Sequence, residues 1–251
     1  MIVCFFDFET SSQYPNDARI LEVGALTVDL ARGTILDIYS KLVNAYPVDP
    51  ECFYLKHSGL TPDDLKTYGI PLNLALSELF ARMSTAAAIA GHNSTQYDAP
   101  LLLNELDRLT SLALPWLNPF RTLLATKPHL DTRFDFPAHG SDKLSYKALD
   151  YGHVPYGAHR AIFDCVSSFE ITRRSDYSTA LSRASSPFIT ITATSSFDQK
   201  EIVKEQGYYW EKPNWKKRIR ACDFTDHQHK ASECGFSISA QTQLEERTII
   251  L

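Results

Sequence analysis

An apolar, β-forming run opens this chain and ends in acid: Ile2-Val-Cys-Phe-Phe-Asp-Phe-Glu9. Residues 2–8 read as a buried strand. Side chains alternate along a strand, so Asp7 and Glu9 point to the same side, with Cα atoms about 7 Å apart. Two carboxylates held that close repel each other. They are stable together only when solvated or when bridging a cation. An isolated Asp-x-Glu is more often a plain solvated strand end, so the question is whether further acids join it.

Residues 20–28 and 34–43 form two more β-rich runs around Asp29-Leu-Ala-Arg-Gly33. Gly33 can supply the positive φ of a tight connection, which predicts a hairpin and an antiparallel start to the sheet. Helical signals follow. Thr61-Pro-Asp-Asp64 is an N-cap with proline and acids in the first turn. Leu72, Leu76, Leu79, Phe80 and Met83 recur at helical spacing, as do Leu101, Leu102, Leu106 and Leu109. Between them, residues 86–90 form a short buried strand ended by Gly91. Residues 144–149 and 158–171 read as later helices. Strands first, then strands interleaved with helices, predict an α/β domain with a mixed sheet.

The 251 residues, 44% of them hydrophobic and 22% charged, suffice for a core without staples and exclude disordered and fibrous classes. A formal net charge of −5 lacks the signature of a purely electrostatic nucleic-acid binder, though not that of an enzyme acting through metal ions. Five cysteines without a Cys-x-x-Cys pair fit a reducing compartment. An acid at position 7 and the lack of any long apolar run predict a soluble, intracellular, cytoplasmic protein without a membrane partner.

Two more acids stand in suggestive places. Asp98 closes Gly91-His-Asn-Ser-Thr-Gln-Tyr-Asp98, after the short strand and at the start of a helix. Taken singly it reads as a first-turn acid. Asp164 follows His159 by five residues, and a helix turns about 500° over five residues, so the two do not stack on one helical face. In the loop before the helix, His159 could swing over the site that Asp164 faces. Four carboxylates drawn from a strand end, a helix start and a late helix meet what two hard divalent ions, Mg²⁺ or Mn²⁺, require.

Asp7-Phe-Glu-Thr10, Asp98 after Gly91-His-Asn93, and His159-x4-Asp164 resemble the three motifs of the DnaQ-like 3′–5′ exonucleases, the DEDDh group, which share an RNase H-like fold. Ile20-Leu-Glu-Val-Gly-Ala25, His57-Ser-Gly-Leu-Thr-Pro62 and Asp131-Thr132 are lesser echoes, and the likeness runs over residues 1–180. One departure is that three residues, Ser94-Thr-Gln96, precede Tyr97-Asp98 where the family often has two, which bears on Asn93. His153 also lies upstream of Asp164, but His159 alone has the family offset.

The resemblance implies a mixed five-stranded sheet flanked by helices. It also implies Asp7, Glu9, Asp98 and Asp164 as ligands of two divalent metal ions and His159 as general base. It further implies that Phe8 and Thr10 approach the terminal nucleotide and that Asn93 belongs to the second motif. By burial preference alone Phe8 equally suits plain core packing, and His57 reads equally as a lining of the groove or as an ordinary histidine of a loop before a helix. The implied substrate is the 3′ end of single-stranded DNA, favoured over RNA, with release of nucleoside 5′-monophosphates. An exoribonuclease remains open, as does a proofreading subunit with a replication or repair partner. From another class, so does a non-catalytic nucleic-acid-binding module on the same fold.

Composition changes near residue 182. This predicts an exonuclease domain over 1–181, a linker over 182–187 and a small α+β module over 188–251. In that module, residues 188–193 read as a strand and 197–206 as a helix closed by Gly207. Residues 208–211 and 215–221 form a hairpin about Lys212-Pro-Asn214. Trp210, Trp215, Lys216, Lys217 and Arg218 are candidate nucleic-acid contacts, since basic groups track phosphates and aromatic rings stack on bases. The plainer reading is a solvated hairpin over an aromatic mini-core. Cys222, His227, His229 and Cys234 match no common zinc spacing.

Overall fold

The opening run becomes β1 (Ile2–Thr10), the middle strand of a five-stranded sheet, in a computed structural model that describes residues 1–45, 47–137, 140–157 and 159–240. On one side β2 (Ile20–Asp29) pairs with it antiparallel, and β3 (Thr34–Leu42) pairs antiparallel with β2. On the other side β4 (Ala88–Gly91) and β5 (His129–Asp131) join in parallel, giving the order β3-β2-β1-β4-β5. This is the mixed sheet that the sequence predicts.

Eight α-helices belong to this unit among the described residues: α1 (Phe53–Ser58), α2 (Pro62–Tyr68), α3 (Leu72–Thr85), α4 (Asp98–Arg108), α5 (Leu117–Thr126), α6 (Leu144–Asp150), α7 (Ala161–Arg173) and α8 (Tyr177–Arg183). The expected cap of α2 forms a full capping box between Thr61 and Asp64. Alternation along β1 sends Cys4, Phe6 and Phe8 into one core with Leu76 and Leu79 of α3, Leu101 of α4 and Phe120 of α5. Val3 and Phe5 enter the opposite core with Ala148 of α6 and Cys165 and Phe169 of α7. Burying each large side chain contributes about 1.5–3 kcal/mol, so a strand covered on both faces is a rigid place to mount a site. Asp7 and Glu9 continue the row of Val3 and Phe5 toward the first turn of α7.

Two boundaries differ from expectation. Helix α7 starts at Ala161 rather than 158, because His159 has φ 65° and Arg160 is extended, conformations that no helical turn accommodates. The predicted linker is shorter than 182–187. Asp176 caps α8 through the Thr179 N–H, and the Ser182 hydroxyl bonds back to the Thr179 carbonyl, so residues 182 and 183 close a helix.

The chain divides into two compact units, Met1–Ser185 and Ser186–Leu251. Among the described residues the second contains β6 (Phe188–Thr194), α9 (Lys200–Glu205), β7 (Tyr209–Glu211), β8 (Asn214–Arg220), α10 (Phe224–Glu233) and β9 (Ser237–Ala240). Its strands are antiparallel in the order β7-β8-β6-β9, a split β-α-β arrangement. Ile191, Val203, Tyr208, Ile219, Ala231 and Ile238 share one core, so both helices cover the same sheet face.

That packing sets which side of the sheet each candidate contact takes. Trp210 stands opposite Trp215 and shares the helix-covered side with Lys217, whereas Lys216 and Arg218 point to the other side. Strand alternation divides the five residues between the two faces of the sheet.

Candidate active site

Three predicted acids converge where the apolar cover of β1 ends. Carboxylate oxygens of Asp7, Glu9 and Asp164 all lie within 4.8 Å of one another. Asp98 joins from the N-terminus of α4, where it is buried, and accepts the Phe8 N–H at 3.1 Å. That bond fixes it to the peptide between the two β1 acids. Asp164 arrives from the first turn of α7.

The electrostatics are those of a site short of positive charge. Burial lifts the Asp7 carboxyl well above the ordinary range, and Asp98, Asp164 and Glu9 raise it further. Burial, then Asp164 and Glu22, push Glu9 up to about 9. Burial likewise brings Asp98 to about 8 and Asp164 to about 7. Four such acids cannot ionise together in protein alone. A donor set made only of carboxylate oxygens, with excess negative charge, fits hard divalent cations.

His159 sits in the left-handed turn just before α7. Its ring meets Phe53 edge-on at 5.0 Å and lies 5.3 Å from His57, while Phe53 and His57 stack at 4.0 Å. Burial lowers its pKa, and the neighbouring His57 adds to that, so the ring is neutral at neutral pH. The alternative histidine, His153, packs beside Tyr156 and senses Glu170, Arg174 and Arg173.

The expected substrate contacts divide. The His57 ring faces His159. The Phe8 ring is buried edge-on against Phe6, so only its backbone is available to the site. The Thr10 hydroxyl is 2.6 Å from the Tyr97 hydroxyl and donates to the Ser12 carbonyl at 2.9 Å. Asn93 adopts φ 59°, and its side-chain oxygen accepts from Arg133 at 3.1 Å, which makes it a turn former.

Asp131 is a residue whose part the sequence reading left unassigned. Wholly buried, it accepts the backbone N–H groups of Asn93, Thr95 and Arg133 and the Thr95 hydroxyl, at 2.6–3.0 Å. It thereby sets the turn that delivers Asp98. The Asp131-Thr132 echo carried that signal. Glu22 and Gly24 of the second-strand echo were also left without a role. A Cβ at Gly24 would lie 2.5 Å from the Ala161 carbonyl carbon, so glycine is what lets the start of α7 rest on the sheet.

Among the described residues, Asp7, Glu9 and Asp164 are the histidine, cysteine and acid side chains close enough to share a metal ion. Cys222, His227, His229 and Cys234 do not assemble, and His229 instead lies 3.4 Å from Glu233. No helix among the described residues is long and apolar enough to cross a membrane.

Residues 4–172 match the family model RNase_T, described as Exonuclease. No curated protein matches the chain. Among solved structures, Escherichia coli exonuclease I in complex with a dA16 oligonucleotide is similar, with a TM-score of 0.51, 17% identity and 73% of this chain covered. This chain spans only 42% of that protein. A 3′-exonuclease that recognises the 3′ end of the histone mRNA stem-loop gives a TM-score of 0.53 at 14% identity, over 72% of this chain and 83% of that one. At these identities the likeness establishes the fold.

Proposed function

This chain belongs to the exonuclease family, and on that premise we propose that it is a two-metal-ion 3′–5′ exonuclease of the DEDDh type. Its substrate in this reading is single-stranded DNA, released from the 3′ end as nucleoside 5′-monophosphates. The observation that carries the reading is the convergence of Asp7, Glu9 and Asp164, with Asp98 anchored to the same stretch of β1 and His159 on the turn before α7.

Asp7, Glu9, Asp98 and Asp164 would hold Mg²⁺ or Mn²⁺. When bound, such ions offset the phosphodiester charge, activate the attacking water and stabilise the leaving 3′ oxygen. His159 accepts the proton of that water on its imidazole, which is neutral and therefore a competent base near pH 7. His57 and Phe53 confine that ring and border the space where the terminal nucleotide would lie. Thr10, tied to Tyr97, sits one residue beyond Glu9 and would meet the terminal sugar.

The second unit offers a further contact with the strand. Tyr209 and Trp210 are about half exposed, at 48% and 54%, and a stacked base is worth about 1–3 kcal/mol. Trp210→Ala is expected to shorten runs on long strands while sparing short ones, as counted from product ladders. Five free cysteines, three of them buried, suit a reducing, cytoplasmic setting.

RNA is the second reading, favoured by the similarity to an exonuclease that recognises an mRNA end. Digestion of matched 5′-labelled DNA and RNA oligomers with Mg²⁺, Mn²⁺ or EDTA tests both. An EDTA-sensitive ladder shortening from the 3′ end supports the exonuclease, and the faster substrate identifies the sugar. No cleavage of either under any metal would instead favour a binding module.

A further inference from the structure

Glu22 stands on β2 directly opposite Glu9 and is fully buried. Its carboxylate is not spent on the acid cluster. It accepts Arg160 through Nε at 3.1–3.2 Å and Nη2 at 3.1 Å, the Tyr54 hydroxyl at 2.8 Å and the Ser40 hydroxyl at 3.1 Å. The Ala161 N–H, at the start of α7, points to the same oxygen as Tyr54 at 3.4 Å. One side chain thus ties together β2, β3, α1 and the turn before α7.

Two of those ties bracket His159. Arg160 is its neighbour in sequence, and Tyr54 lies on α1, whose Phe53 and His57 enclose the imidazole. His159 itself occupies the left-handed backbone region, which strains a non-glycine residue, and such a turn persists only where its surroundings hold it. Gly24, two residues along β2, admits the Ala161 backbone and sets how deeply α7 seats. Asp164 is carried on that same first turn.

We infer that the Glu22–Arg160 ion pair is a positioning pair: it holds the His159 turn and the start of α7 in register with Asp7 and Glu9, without touching substrate. The consequence for turnover rests on the exonuclease reading above. A planar guanidinium gripped by one carboxylate has little freedom, whereas a lysine at the same place keeps the charge and loses the fork. The pair therefore acts on geometry, and its loss falls on kcat more than on KM.

The test compares Arg160→Gln and Arg160→Lys with the native chain, with thermal melts confirming that each is folded at the assay temperature. Arg160→Gln is expected to lose about 10²-fold in kcat, the scale of an ångström of misplacement, with KM nearly unchanged and partial recovery in Arg160→Lys. Proton NOEs between the His159 and Phe53 rings give a readout independent of activity. They should be present in the native chain and Arg160→Lys, and lost in Arg160→Gln. Native-like kcat and NOEs in a folded Arg160→Gln would overturn the inference, as would a loss that only tracks the unfolded fraction. A native chain that cleaves nothing but loses its NOEs on substitution would retire the exonuclease reading and leave the positioning role standing.

Discussion

Asp7 and Glu9 carry two demands that a folded chain rarely makes of neighbours: both are largely buried beside α7, and the proposed mechanism needs both charged. Asp7→Asn keeps the shape and removes one ligand charge, so turnover in Mn²⁺ should fall by orders of magnitude with the melting temperature held or raised. Near-native turnover would remove Asp7 from the site. His159→Asn should cost about 10²–10⁴-fold in kcat, the usual worth of a positioned base. Metal binding, measured calorimetrically, should be kept. The meeting of Asp7 and Glu9 with Asp164 was legible in the sequence because strand alternation puts the two β1 acids on one side. Glu22 and Asp131 were visible only as echoes, since their partners lie far along the chain: Arg160 is 138 residues from Glu22. Hydrogen bonds of that span leave no periodic trace.

Among the elements, α7 decides the geometry. Its helical character was readable, but the single apolar face of Ile162, Val166 and Phe169 is not what forms, since the helix buries residues on several sides. Its start was missed because a non-glycine residue at φ 65° before the first turn has no sequence signature. Gly24→Ala tests the seating of this helix. The added methyl would press on the Ala161 backbone, and overpacking of this kind costs about 1–3 kcal/mol. Melting temperature and turnover should fall together in that variant, and an unchanged melt would show that α7 moves freely. Strand β8 shows a different limit. Its basic and aromatic residues were read as one patch, yet alternation along β8 puts Lys216 and Arg218 on one face of the sheet and Trp215 and Lys217 on the other. Which face a strand buries depends on helices that follow later, and α10 carried no clear signal. Short elements such as α1, α5 and β5 escaped notice for the same reason: each is fixed by tertiary packing rather than by its own periodicity.

At the scale of the whole molecule the acid cluster makes stability depend on pH in an unusual direction. Glu9, Asp98 and Asp164 keep their protons to about 9, 8 and 7 in the folded chain, while ordinary carboxyls lose them near 3.8–4.5. Between those limits the folded state binds more protons than the unfolded state, so stability falls as pH rises. Thermal melts in EDTA should therefore show a lower melting temperature at pH 8.5 than at pH 5.5, on top of contributions from other groups. Adding Mn²⁺ should raise the melting temperature most at the higher pH, where the cation competes with fewer protons. A metal effect independent of pH would contradict the raised carboxyls. The mixed sheet behind this behaviour was readable from three β-rich runs followed by interleaved strands and helices, while its count of five strands came from the family resemblance.

The central claim, that this acid cluster hydrolyses a strand from its 3′ end, is tested most directly by product analysis. A short DNA oligomer with a free 3′ hydroxyl would be digested in Mn²⁺ by the native chain and by Asp7→Asn, and the products identified by mass. The expected result is nucleoside 5′-monophosphates with strands shortened stepwise from the 3′ end, from the native chain alone and not in EDTA. Internal fragments, 3′-monophosphates, or equal product from Asp7→Asn would contradict it.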